Sequence, residues 1–385
     1  MRSVASSFES FLVRDNHTEN HSLIGTVHPQ VPLILSPPSP MTAQDACDFV
    51  KTYRDEIDNA LKDHGAVLFR GFFKELNKED GPREFDSFVQ SWSDWQDLSY
   101  EKSMSFAVRH KLSNRICTTN EGKSGGLVFH HEQAQTPLWP SHVFFCCLLP
   151  AQEGDGGATG VVSSDLVYQE LLKRHPNFIE ACESHGVRYT IYAGPEQDPT
   201  KGAGRSWKSF FHVSTKEECE RKMKAGGWDW EWGKGANEQS DVGPDFLKCT
   251  TPVLDAVKTA PGTSKKCFFN QLIATTANAL EFSRVGHSGG GYDPLHDVPT
   301  QEGIDACVCF GNGDQVPLDI LLEAKQICED YAIDLCWQKG DVALVSNYLM
   351  MHARRPWNGA EGTRKVLASL VAEKSCTSFG KPLVV

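Results

Sequence analysis

Phe129-His130-His131-Glu132-Gln133-Ala134-Gln135 is the stretch from which the fold and the chemistry are read. On a strand, side chains at i and i+2 share a face. His130 and Glu132 then point the same way, about 7 Å apart along the backbone at a rise of about 3.3 Å per residue. An imidazole and a carboxylate so spaced can take adjacent corners of an octahedral metal ion. His131 faces the other way, and its i+2 neighbour is Gln133, a poor ligand. Taken alone the pattern is weak, because any strand carrying a His can produce it.

The second piece runs from Gly340 to Trp357. A Gly340-Asp341 turn feeds the apolar run Val342 to Ser346, and His352 follows Asp341 by eleven residues. Twelve residues further on, Arg364 opens the run Arg364-Lys365-Val366-Leu367-Ala368-Ser369-Leu370. Two His and one carboxylate leave three octahedral positions open, the facial triad of non-haem Fe(II) oxygenases. Many such enzymes fill two positions with 2-oxoglutarate and keep the third for O2. The distal carboxylate of 2-oxoglutarate then needs a cation, and the planar fork of Arg suits it. Thr159 is the candidate hydroxyl to share that carboxylate.

In order, these pieces resemble the taurine dioxygenase superfamily, and most closely its clavaminate synthase-like branch. The similarity extends from about Pro32 to Ala372. It includes Gly65-Ala66-Val67-Leu68-Phe69-Arg70-Gly71-Phe72, Thr119-Asn120-Glu121, the His130–Gln135 run and Gly156-Gly157-Ala158-Thr159. It also includes Gly204 to Phe210, Phe268-Phe269-Asn270-Gln271 and the segment from His352 to Ser369. The resemblance implies His130, Glu132 and His352 as catalytic iron ligands, and Arg364 with Thr159 as the 2-oxoglutarate site. It implies Fe(II), 2-oxoglutarate and O2 as cofactor and co-substrates. Asn120, Arg205, Asn270 and Arg354 lie in matched segments and are candidates for substrate contact, each with a structural hydrogen bond as the alternative. One departure matters. Taurine dioxygenase binds its sulfonate with a second Arg four residues after the cofactor Arg, and here that position is Ala368. Glu132 also argues against a halogenase, which lacks the carboxylate ligand.

The rest of the chain is consistent with such an enzyme. Its 385 residues carry a formal net charge of −12, which argues against a nucleic-acid partner and against a polybasic membrane-surface protein. Thirteen Cys, an odd number with no C-x-x-C pair, read as reduced thiols of a cytoplasmic protein. No signal segment or membrane span is expected.

Helices are expected over 43–64, 85–95, 166–174, 177–184, 216–225 and 318–331. Strands are expected over 66–71, 143–149, 268–274, 332–337, 342–346 and 366–371. The expected architecture is mainly β with flanking helices: a double-stranded β-helix, the jelly roll of cupins, with a helical insertion. Residues 1–28 read as a loose tail and 29–385 as a single domain, with the insertion at about 195–265. Four Trp of the insertion (207, 228, 230, 232) are candidates for a lid or for packing. The expected activity is oxidation of an unactivated C–H bond in a small amino-acid-like or carboxylated metabolite, by hydroxylation, desaturation or cyclisation, with release of succinate and CO2. A non-catalytic jelly-roll binding module and a zinc hydrolase are the alternatives; in the latter Arg364 and Thr159 have no clear task. The sequence leaves the oligomeric state open.

Overall fold

The computed structural model describes residues 8–13, 30–39, 41–73, 76, 79–98, 103–119, 125–198, 204–235, 242–282, 293, 295–360 and 362–373. His142–Leu149 is an eight-residue run of apolar and β-favouring side chains, and it becomes the central strand. Val342–Ser346 pairs with one edge and Lys365–Glu373 with the other, both antiparallel. Ala66–Phe69, Leu33–Leu35 and Leu12–Val13 extend this sheet on one side, and Trp95–Asp97 and Cys117–Thr118 pair with Lys365–Glu373 on the other. A second sheet has the order Ile333–Leu335, Thr159–Ser163, Met350–Arg354, Leu127–His130. From Cys117–Thr118 to Thr159–Ser163, and again from Ile333–Leu335 to Lys365–Glu373, the chain alternates between the two sheets, which is the winding of a jelly roll.

Alternation along the strands sorts the core into layers. Phe145, Cys147, Val366, Ala368 and Leu370 fill the space between the sheets together with Val161 and Leu335. Their neighbours Phe144, Cys146, Leu367 and Val371 pack outward against the helices Ala43–Thr52 and Gly81–Val89. Behind the second sheet, Phe129, Val162, Met351 and Ala353 pack against Ser164–Arg174 and Leu318–Tyr331. Adjacent Cys146 and Cys147 thus serve opposite layers, and the described cysteines are free thiols.

The structure corrects several expectations. The helix over 43–64 is two helices, Ala43–Thr52 and Arg54–His64. The chain breaks at Tyr53, whose ring packs 4.9 Å from Phe49. Apolar spacing is the same on both sides of the break, so periodicity does not reveal it. Gly65, in the left-handed region at φ 71°, ends the second helix as expected. The 85–95 helix runs Gly81–Val89, and Trp95 begins a strand instead. Residues 268–274 are no strand: Asn270 Oδ1 accepts from the Leu272 amide and starts the helix Leu272–Phe282. A short apolar run is compatible with either state.

The N-terminal tail is not wholly loose, since Phe8–Phe11 forms a 3-10 turn and Phe11 is buried 4.5 Å from Phe49. The insertion is not purely helical. Its strands Asp229–Trp232 and Leu247–Thr250 join Val187–Ala193 and Val308–Phe310 in a separate four-stranded sheet. Its helix Lys216–Gly226 carries a capping box between Thr215 and Glu218.

Candidate active site

His130 and His352 meet because of strand register. Met350–Arg354 lies between Thr159–Ser163 and Leu127–His130, with His352 directly opposite His130. Their ring centroids are 4.4 Å apart. His130 Nδ1 donates to the Val128 carbonyl at 2.9 Å, which leaves Nε2 as the free donor.

Glu132 arrives by a different route from the one alternation suggests. The strand ends at His130, and Glu132 lies in the turn that follows. Gln133 sits at φ 58°, a left-handed conformation rare for a side chain of this size. Asn347 fixes this turn. Its Oδ1 accepts from the Glu132 amide at 2.7 Å, and its Nδ2 donates to the carbonyls of Glu132 (3.0 Å) and Pro140 (2.8 Å). Glu132 Oε2 then stands 3.6 Å from His352 Nε2 and 3.9 Å from His130 Nε2. His131 points away, with Nδ1 bonded to the Asn347 carbonyl and Nε2 to the Ser164 hydroxyl.

One ligand atom from each of His130, Glu132 and His352 lies within 4.8 Å of the others. Burial pushes the His130 imidazole down to about 4, helped by the nearby His352. Burial acts to raise the Glu132 carboxyl, but the hydrogen bond with His352 and the charge of Arg109 outweigh it, leaving it at about 2. Neutral imidazole and ionised carboxylate are the states a divalent ion requires. The donor set is also the right one for Fe(II), with a face left for other ligands.

These groups open into a pocket of about 60 Å³. Arg364, Val366, Ala368 and Leu370 line it from alternate positions of one strand, and Thr159 and Arg354 line it from the other sheet. Lys365 is not part of this wall, as alternation predicts. Arg364 is buried and its Nε donates to the Gly157 carbonyl at 2.8 Å. Gly157 is at φ +75°, and a Cβ there would meet Arg364 Cδ and Nε at 2.9 Å, so only glycine leaves the guanidinium its place. Thr159 Oγ1 accepts from Trp337 Nε1 at 3.0 Å.

The remaining sequence candidates divide. Arg354 is buried in the pocket wall and bonds the Gly125 carbonyl. Asn270 is buried away from the pocket, holding the Ala256 carbonyl and the start of a helix. Arg205 is likewise outside it. Its guanidinium donates to the carbonyls of Ser103 (2.7 Å), Ser105 (3.3 Å) and Ser209 (3.0 Å), so it braces the segment that carries Ser105 into the wall. Asn120 lies outside the described residues. Trp207 and Trp228 are buried in an aromatic cluster with Phe210 and Phe211 and do not line the pocket.

Sequence reading missed three contributors: Asn347, Arg109 and Cys117. Arg109 and Cys117 line the pocket. Burial pushes the Cys117 thiol up to about 11, so it is protonated at neutral pH. No periodic pattern marks any of the three.

A family model described as taurine catabolism dioxygenase TauD, TfdA family matches residues 42–370. A clavaminate synthase-like protein of Arabidopsis thaliana is 31% identical over 346 residues, covering 88% of this chain and 93% of that protein. The dapdiamide synthesis protein DdaC of Enterobacter agglomerans is 23% identical over 316 residues, covering 81% and 84%. Among solved structures, an asparagine oxygenase in complex with Fe(II), 3-hydroxyasparagine and succinate has a TM-score of 0.47 at 13% identity, covering 86% of this chain and 83% of that one. No helix among the described residues is long and apolar enough to cross a membrane. The chain belongs to the TauD/TfdA family and is an Fe(II)- and 2-oxoglutarate-dependent dioxygenase that uses O2 and acts on a small molecule.

Proposed function

We propose that His130, Glu132 and His352 hold the iron, that Arg364 and Thr159 hold the distal carboxylate of 2-oxoglutarate, and that the substrate is a small carboxylated or amino-acid-like metabolite oxidised at an unactivated C–H bond. The observation that carries this reading is the convergence of three ligand atoms within 4.8 Å in a pocket whose wall also holds Arg364. When bound, iron with 2-oxoglutarate and O2 supplies the oxidising power, and succinate and CO2 leave.

The chain's own groups do the rest. Asn347 orients the Glu132 turn, and the Val128 carbonyl selects the His130 tautomer. Arg364 gives a carboxylate a forked partner at a fixed position. Apolar side chains at 127, 145, 366, 368 and 370 exclude water from the remainder of the wall. The segment at about 195–265 serves as an insertion within one dioxygenase domain that starts near residue 29. Its strands complete a sheet begun by Val187–Ala193, which supports a single unit.

The test is anaerobic loading with Fe(II), 2-oxoglutarate and ascorbate, admission of O2 and measurement of succinate, beside His130→Ala and Arg364→Ala. Succinate that requires iron, disappears in His130→Ala and needs far more 2-oxoglutarate in Arg364→Ala supports the assignment. Iron-dependent succinate that persists in His130→Ala would sink it.

A further inference from the structure

Position 368 is the place where taurine dioxygenase carries its second arginine, and here Ala368 leaves that part of the wall small and apolar. A different cation stands close by. Cys117 pairs with Ala368 across the sheet edge, and Arg109 Nη1 reaches the carbonyl of the next residue, Thr118, at 3.4 Å. That distance is beyond the usual range for such a bond, so the contact positions the guanidinium without satisfying it.

Arg109 lines the same pocket as the iron ligands. Its charge is felt by Glu132, His130 and Cys117, whereas that of Arg364 is felt by Cys147, further along the sheet. Arg109 is carried by the 103–119 segment and Arg364 by the start of the Lys365–Glu373 strand, so the two guanidiniums enter the pocket from different elements. Among the described residues Glu132 is the one carboxylate in the wall, and its ion pairs run to His130 and His352. The protein as a whole has a net charge of −12, so a cationic wall on its pocket runs against the composition. With Glu132 assigned to the iron, a half-buried guanidinium facing the cavity is a site for an anionic group brought by a ligand.

We infer that Arg109 anchors a carboxylate of the substrate, supplying from the 103–119 segment the cation that position 368 does not. The inference rests on the iron and 2-oxoglutarate assignment above and names the substrate class for that site.

The experiment uses the full chain loaded anaerobically with Fe(II) and saturating 2-oxoglutarate, which gives a visible metal-to-ligand absorption band. Acetate, glutarate and L-glutamate are titrated, each against its methyl ester, into wild type, Arg109→Met and Arg109→Lys. The readouts are displacement of the band and thermal stabilisation. The band itself reports that each variant is folded and loaded. The expected result is that at least one acid binds wild type about tenfold or more tightly than its ester, as a charge-assisted hydrogen bond dictates. That preference vanishes in Arg109→Met and partly returns in Arg109→Lys. A band with no preference for acid over ester, or a preference that survives Arg109→Met, overturns the inference while leaving the cofactor assignment standing. If wild type gives no band, the cofactor assignment itself fails and the inference falls with it.

Discussion

Replacing Asn347 by Ala should damage stability and metal binding together. Asn347 is fully buried, and its side chain makes three hydrogen bonds to backbone groups of Glu132 and Pro140. Alanine leaves one amide and two carbonyls buried and without these partners. At about 1–3 kcal/mol for each stranded group, and allowing for partial relaxation, the cost is about 3–5 kcal/mol. The Glu132 turn also loses its orientation next to the strained Gln133. Loss of such an outer partner typically weakens metal affinity about 10–100-fold. Urea denaturation followed by circular dichroism gives the first number, and calorimetric titration of Mn(II) into protein that is still folded gives the second. Asn347→Asp keeps the volume but faces two carbonyls with acceptors, so it should be no milder. A loss below about 1 kcal/mol together with Mn(II) affinity within about twofold of wild type would refute the reasoning.

Two other expectations follow from local geometry. Gly157→Ala forces a Cβ to 2.9 Å from the Arg364 side chain at a positive φ. It should weaken 2-oxoglutarate binding by about tenfold or more with Mn(II) affinity nearly retained, as the loss of an Arg–carboxylate fork implies; equal 2-oxoglutarate affinity in an anaerobic titration would count against the Arg364 assignment. His142 is buried against Trp95, with rings 4.2 Å apart, and burial lowers its pKa to about 3, assisted by Arg54. The unfolded chain therefore binds the extra proton first, so this group's contribution to stability is complete above about pH 6.5 and is lost as the pH falls towards about 3, at up to about 1.4 kcal/mol per unit. Urea melts at about pH 7 and about pH 5 should show a smaller acid loss in His142→Phe than in wild type, and equal losses would exclude the mechanism.

That His130, His352 and Arg364 share one pocket was legible in the sequence because residue type and order mark them. Glu132 was legible as a companion of the two histidines but not in its placement. Alternation put it on the strand with His130, whereas the chain turns at Gln133 and brings the carboxylate round from a turn. Arg205 and Asn270 shared matched segments with true pocket residues, and a matched segment does not tell a strut from a contact. Nothing near Arg109 in sequence marks it; Thr118 is nine residues away and joins it only once the sheet forms.

Asn347 was hidden by distance, being 215 residues from the turn it holds. It sits in the connection between Val342–Ser346 and Met350–Arg354. The first of these strands belongs to one sheet and the second to the other, and the second carries His352. One short crossover therefore positions two of the three clustered side chains at once, His352 by strand register and Glu132 through the Asn347 amide. The third, His130, is fixed by pairing with the same His352 strand. A disturbance in residues 347–349 should therefore move the whole donor set, whereas a disturbance near Arg364, on the neighbouring sheet, should move the co-substrate site alone. Comparing Mn(II) and 2-oxoglutarate affinities in Asn347→Ala and Gly157→Ala separates the two: the first variant should lose both, the second only 2-oxoglutarate. The opposite pattern would mean that the two sheets do not divide the site in this way.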